Sequence, residues 1–273
     1  MKKMCQITQK EVLSHVIVKM SLRVNHWAPL VKAGQFLMIR VREDGERFPL
    51  TIVETHDDEV VVIFKIIGHS TQELAKLNVG DVLYEILGPL GKATDISDIA
   101  SMVVVGGGVG NAIAYAMAKH LHDQHVCLGY IGGFMKQSDM FYLSNIRELC
   151  REARFYVEEK TDEFYQGNVV DGLKAFILEH PIESIFCAGP LAMMKAVVDF
   201  AKENNIQIIV SLNPIMVDGI GMCGGCRVEI DQQVKFACVD GPEFDGRLVN
   251  FDALLTRNQT YKKHPCVIKK DYE

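Results

Sequence analysis

The chain of 273 residues carries 29 Lys and Arg against 35 Asp and Glu, a formal charge of −6, and 48% of it is apolar. That is enough apolar material for two domains with proper cores, and an acidic balance without a long basic run argues against a general nucleic-acid binder. Of the eight cysteines, Cys5, Cys127, Cys150, Cys187, Cys223, Cys226, Cys238 and Cys266, only three cluster, which suits a reducing, cytoplasmic compartment and not a disulfide framework.

From the N-terminus, the charge within residues 1–10 is not followed by an apolar run, and no export signal is predicted. The chain up to residue 98 reads as short β-rich runs at 15–20, 35–41, 50–54, 60–67 and 82–86, with one short helix near 71–77. Turn signals at Ala33-Gly34, Asp44-Gly45, Asp57-Asp58 and Val79-Gly80-Asp81 separate them. This is the cadence of a closed or nearly closed antiparallel barrel.

Beyond Asp98 the rhythm changes. The uncharged run 99–118 is long enough to raise a transmembrane reading, but Gly106, Gly107, Gly108, Gly110 and Asn111 interrupt it and give strand, turn, helix instead. Strands at 102–105, 126–131, 155–158, 184–188 and 206–212 alternate with helices at 109–121, 139–150, 170–178 and 191–204. Such alternation predicts a parallel sheet with helices on both faces and ligands at the carboxyl ends of its strands. The expected fold class is therefore β + α/β: an antiparallel barrel over 1–98, a nucleotide-binding α/β domain over 99–212, and a metal-bearing C-terminal segment over 213–273.

The turn after the first α/β strand, Val105-Gly106-Gly107-Gly108-Val109-Gly110-Asn111, can offer backbone N–H groups and a helix N-terminus to a pyrophosphate. Asn111 stands where the third glycine of G-x-G-x-x-G falls, and the next strand ends at Phe134 without a ribose-binding carboxylate. A tight turn without a ligand stays open. Further on, Asp218-Gly-Ile-Gly-Met-Cys223-Gly-Gly-Cys226 is followed, with eleven residues between, by Cys238. The C-x2-C pair lets two thiolates from one loop reach one metal centre, and Gly219, Gly221, Gly224 and Gly225 leave room for a bulky cluster. Asp218 occupies the first position of the plant-type C-x4-C-x2-C spacing, so Asp218, Cys223, Cys226 and Cys238 are the candidate ligands of a [2Fe–2S] centre. A zinc knuckle built on the three cysteines is the alternative, and an aspartate before glycine is also an ordinary turn signal.

Arg47-Phe-Pro-Leu-Thr-Ile52 and Lys65-Ile-Ile-Gly-His-Ser-Thr71 resemble the two flavin-binding segments of the ferredoxin–NADP reductase superfamily, and Cys187-Ala-Gly-Pro190 with Met193-Met194 resembles its nicotinamide segment. With the iron–sulfur loop last, the order is similar to that of the electron-transfer subunits of bacterial dihydroorotate dehydrogenase. It is closer still to the small subunits of NADH-dependent reduced ferredoxin:NADP oxidoreductase, also called sulfide dehydrogenase. Asp218 and Val239-Asp-Gly-Pro-Glu-Phe-Asp-Gly246 favour the second group.

The resemblance implies FAD, a [2Fe–2S] cluster and NAD(H) as cofactors. It places Pro49, Leu50 and Thr51 at the flavin ring, and Lys65, Ile66, Gly68, Ser70 and Thr71 at the ribityl chain and pyrophosphate. Gly106, Gly107, Gly108, Gly110, Gly189, Pro190 and Met193 fall to the coenzyme. No side-chain acid or base is expected to be catalytic. The superfamily segment usually begins Cys-Gly-Pro, whereas Ala188 precedes Gly189-Pro190 here, which leaves Cys187 as a buried strand-end thiol. No arginine accompanies Met135-Lys136, which favours NADH, with Lys136 keeping NADPH open. Electrons would pass to a larger subunit carrying FAD and [4Fe–4S] clusters, and through it to ferredoxin and NADP, with bifurcation there. A dihydroorotate dehydrogenase catalytic subunit is the alternative partner. Ile215, Met216, Ile220 and Met222 are docking candidates or plain core. A zinc-stabilised binding module and a reductase acting alone are the other function classes; nucleic acid and membrane are not expected.

Overall fold

The computed structural model describes residues 5–263; Cys266 lies outside the described residues. The first part is an antiparallel sheet of β1 (Cys5–Ser14), β2 (Ile17–Arg23), β3 (Phe36–Arg40), β4 (Arg47–His56), β5 (Glu59–Lys65), β6 (Val82–Leu83) and β7 (Glu85–Leu90), with α1 (His69–Lys76) after β5. The order is β6-β1-β2-β5-β4-β3-β7. Because only Tyr84 separates β6 from β7, a single run of chain borders both edges and nearly closes the barrel. Leu22, Leu37, Ile39, Val62 and Phe64 fill its interior. β1 is the strand the sequence hides: beyond Cys5 and Ile7 no residue of it is buried, and its remaining apolar residues, Val12 and Leu13, are adjacent, so no apolar alternation marks it.

The second sheet contains β8 (Met102–Gly107), β9 (Cys127–Phe134), β10 (Ala153–Val157), β11 (Tyr165–Gln166), β12 (Ser184–Ala188) and β13 (Gln207–Ser211), flanked by α2 (Gly110–Asp123), α3 (Leu143–Leu149), α4 (Val169–Glu179) and α5 (Leu191–Glu203). The order β11-β10-β9-β8-β12-β13 is parallel throughout. From β8 the chain winds outward through β9 and β10 and then crosses to β12. The crevice at this reversal, between the carboxyl ends of β8 and β12, is where doubly wound sheets take ligands. β8 is buried on both faces, Val103 and Val105 against α4 and α5, Met102 and Val104 against α2 and α3. Ile17, Val53 and Ile63 of the barrel join the α2–α3 side, so the barrel and the α/β part share apolar packing.

The last part holds the hairpin β14 (Arg227–Ile230) and β15 (Gln233–Phe236), then β16 (Glu243–Asp245) and α6 (Phe251–Lys263). β16 pairs antiparallel with β13 and becomes the edge of the α/β sheet. Among the described residues no helix is long and apolar enough to cross a membrane.

Candidate functional site

The loop after β13 is held in shape by Asp218. Its Oδ1 accepts the Ile220 N–H at 3.0 Å and its Oδ2 the Cys223 N–H at 2.5 Å. Burial opposes its charge, but these N–H groups and the Cys223 thiol hold the carboxyl below its usual range. A carboxylate has about four lone-pair sites, more than these N–H groups occupy, and the one facing the Cys223 thiol comes free when that thiol gives up its proton to a metal. Cys226 and Cys238, on the buried side, bring their sulfurs to 3.2 Å of each other, while Cys223 is exposed and accepts the Gly225 N–H at 3.3 Å. The donors thus fall into two pairs, Asp218 with Cys223 and Cys226 with Cys238. Among the described residues, Glu152, Glu179 and His180 are the only three potential ligands within 4.8 Å of one another, and Arg154 already pairs with both glutamates. Two separated pairs of hard and soft anions suit a two-iron cluster better than one tetrahedral ion.

Gly219, Gly221 and Gly224 have φ of +76°, +85° and +64°, conformations that side chains resist. At Gly219 space is also short, since a Cβ would lie 2.7 Å from Met38 Cγ on β3. The loop therefore rests directly on the barrel. Met38 is paired with Pro49, and Leu37 and Phe36 with Leu50 and Thr51. One strand separates the cluster loop from the segment expected at the flavin ring. Arg47, at the head of that segment, is fixed by Glu85 at 2.7 and 3.0 Å.

A cavity of about 870 Å³ opens at the sheet reversal. Gly107, Gly108 and Gly110 of the first turn and Gly189, Pro190 and Met193 of the later one line it side by side, a Cβ on Gly107 falling 3.2 Å from Pro190 Cδ, and Lys65 and Ile67 of the barrel line it as well. Gly106 is not part of the lining, nor are Pro49, Leu50, Thr51, Ile66, Gly68, Ser70 and Thr71 of the segments expected at the flavin. The Ser70 hydroxyl donates to Glu46 at 3.1 Å, and Thr71 Oγ1 accepts the N–H groups of Ile67 and Gly68 at 3.0 and 3.1 Å. The Thr71 hydroxyl thus caps α1, leaving backbone N–H groups at that helix start for an anion.

Asn111 does what the motif reading could not show. It is fully buried, its Nδ2 donates to Gly108 O at 3.0 Å and Gly133 O at 3.2 Å, and its Oδ1 accepts from Tyr130 at 2.9 Å. Gly110 takes the close approach, since a Cβ there would lie 2.5 Å from Ala188 O. Sequence reasoning also missed Glu158, Asn168, Asp171, Lys174, Ser211 and Asn213, which line the cavity from five different elements or loops without a motif. Lys136 does not line it. Cys187 is buried in the core, where burial pushes its thiol up, as expected of a strand-end thiol. Of the docking candidates, Met216 is core at 5% exposure, whereas Ile215, Ile220 and Met222 stand exposed.

Residues 213–250 match the iron–sulfur cluster binding domain of dihydroorotate dehydrogenase B. The chain is 37% identical over 234 residues to the dihydroorotate dehydrogenase B (NAD(+)) electron transfer subunit homolog of Thermotoga maritima, spanning 85% of this chain and 82% of that one. To the electron transfer subunit of Clostridium perfringens it is 32% identical over 238 residues, 85% of this chain and 92% of the relative. A chain in the solved structure of the NADH-dependent reduced ferredoxin–NADP oxidoreductase superposes with a TM-score of 0.89 at 33% identity, covering 96% of this chain and 95% of that one. With the barrel, the crevice and the cysteine loop in place, the chain belongs to the family of dihydroorotate dehydrogenase B electron-transfer subunits, oxidoreductases that work with FAD, NAD(H) and a [2Fe–2S] cluster.

Proposed function

We propose that this chain takes electrons from NADH and delivers them to a larger flavoprotein subunit with its own FAD and [4Fe–4S] clusters, the bifurcating partner that reacts with ferredoxin and NADP. The observation that carries this reading is spatial order. The cavity brings the barrel residues Lys65 and Ile67 to Gly107–Gly110 and Pro190, and the cysteine loop lies one strand from Pro49–Thr51. The division of labour would follow the chain: FAD on 1–98, NAD(H) on 99–212 and the cluster on 213–273.

When bound, FAD and the cluster supply the conversion of a two-electron hydride into single electrons. The protein's own part is positioning. Pro49, Leu50 and Thr51, half-buried on β4, would line the flavin ring, and the N–H groups at the start of α1 would meet its phosphates. The turn 106–110 would hold the coenzyme pyrophosphate, and Met193 and Pro190 would press the nicotinamide toward the flavin, shutting out water. Glu158, rather than Lys136, lines the cavity, and a carboxylate there suits a ribose hydroxyl and repels a 2′-phosphate. Asp218 and Cys223 would hold one iron, Cys226 and Cys238 the other. The exposed Ile215, Val217, Ile220 and Met222 around this loop would seat the partner.

A second reading, delivery to a dihydroorotate dehydrogenase catalytic subunit, is favoured by the names of the relatives. NADH oxidation reconstituted with each catalytic subunit in turn separates the two. The cofactor reading is tested on anaerobically purified protein by metal, sulfide and flavin content and by electron paramagnetic resonance after dithionite reduction. The expectation is about two irons and two sulfides with FAD, and a signal that Asp218→Cys alters. Zinc without flavin overturns the function, and a spectrum unmoved by the substitution removes Asp218 from the ligand set.

A further inference from the structure

Cys127 and Cys150 play no part in the cofactor sites, yet they meet. Their sulfurs lie 2.7 Å apart although the residues are 23 positions apart in sequence. Cys127 opens β9, and Cys150 directly follows α3. The register explains the meeting: Met102 pairs with Cys127 and Val103 with Gly129, so one extra residue is inserted at Leu128. That bulge turns Cys127 to the same face as Tyr130, the face covered by α3, where Cys150 is buried. The last turn of α3 is fixed in addition by a 2.8 Å contact between His122 Nδ1 and Leu149 O. Neither sulfur can drift far, and the pair has no third ligand within metal reach among the described residues.

We infer that Cys127 and Cys150 form a site of reversible disulfide formation, with a peroxide as the oxidant. Half-buried Cys127 is the sulfur that a small peroxide reaches first, whereas Cys150 is buried beside it. Attack of the Cys127 sulfur on hydrogen peroxide breaks the O–O bond, gives a sulfenic acid and releases one water. The Cys150 sulfur then displaces the hydroxyl, forms the S–S bond and releases the second water, so two thiols and one peroxide give one disulfide and two waters. Contact with Cys127 and burial raise the Cys150 thiol above its ordinary value, so Cys127 and not Cys150 is the sulfur that meets the peroxide. The bond forms at the amino end of β9, whereas the cavity lies at its carboxyl end, so cofactor binding does not require it.

The test uses the holoprotein. After brief exposure to hydrogen peroxide, free thiols are alkylated, the protein is denatured and digested, and the peptides are mapped by mass spectrometry. The expected product is the Cys127 peptide joined to the Cys150 peptide, about 2 Da lighter than the sum of the two and separated again by dithiothreitol. Mapping distinguishes this product from any bond between Cys226 and Cys238. In Cys150→Ser, Cys127 is expected to proceed to sulfinic acid, because nothing resolves its sulfenic acid. Full alkylation of both cysteines after peroxide, or sulfinic acid at Cys127 in the wild type with Cys150 still a thiol, overturns the inference.

Discussion

Glu243 keeps Oε1 buried without a hydrogen-bond partner, while the Thr94 hydroxyl donates to Oε2. Burial, only partly offset by Thr94, raises its carboxyl from 4.5 to about 7. Between those values the folded chain holds a proton that the unfolded chain has lost, so stability falls as pH rises through this window. The fall is complete above pH 7 and is on the order of 3–4 kcal/mol, at about 1.4 kcal/mol for each pH unit. Glu243→Gln should match wild type below pH 4.5, lack this component of the decline, and exceed wild type in stability above pH 7. Urea melts at pH 5 and pH 8 check this, and equal pH dependence in the two proteins would refute it. Nothing in Asp-Gly-Pro-Glu243 announces such burial, because it depends on Gly34 of the barrel lying against the carboxyl. That Asp218 meets Cys223, by contrast, was legible from their spacing. Asn111 was legible only as a break in the glycine pattern, since its partner Gly133 lies on another strand.

At the scale of elements, the strand and helix rhythm of 102–211 was readable because β8, β9, β12 and α2 to α5 carry strong apolar periodicity. β1, β11 and β14–β16 escaped because they are short or polar and owe their existence to a partner strand. The expected helix at 139–150 begins later, at Leu143, since Tyr142 stands at φ +60° ahead of it. The meeting of α2 and β12 carries a sharp prediction. A Cβ on Gly110 would lie 2.5 Å from Ala188 O and 2.6 Å from Gly189 Cα, both backbone atoms that cannot turn aside. Gly110→Ala should push α2 off β12, cost about 1–3 kcal/mol and weaken NADH binding at the crevice. Gly108→Ala meets nothing within 4 Å and bears only the cost of its φ of +54°, about 1–2 kcal/mol. Thermal melts and NADH titrations of both variants separate clash from conformational strain, and an unchanged Gly110→Ala protein would deny the close contact its role.

At the scale of the molecule, the barrel followed by the α/β part followed from composition and turn signals, but the way the parts are joined did not. Tyr115 of α2 donates to Glu54 of β4 at 2.8 Å, and Lys92 after β7 donates its N–H to Gly241 O at 2.7 Å. These contacts link segments far apart in the chain, which periodicity cannot report. The C-terminal part is held in two ways. The loop 214–226 is held by Asp218 and the cysteines, whereas 227–236 and 243–245 are held by strand ladders. Stripping iron with a chelator should therefore raise amide exchange in the loop and leave the hairpin and β16 protected. A uniform rise across 213–250 would mean that the metal organises the entire segment.

The antiparallel pairing of β16 with β13 has one more consequence. Without it, β13 would end the parallel sheet with a row of open N–H and C=O groups, a template for strands of other molecules. The segment that carries the electron relay is also the guard against aggregation, a short border strand of Glu243, Phe244 and Asp245. A lesion that frees this border could therefore cost solubility before it costs electron transfer, and loss of soluble protein would precede loss of colour.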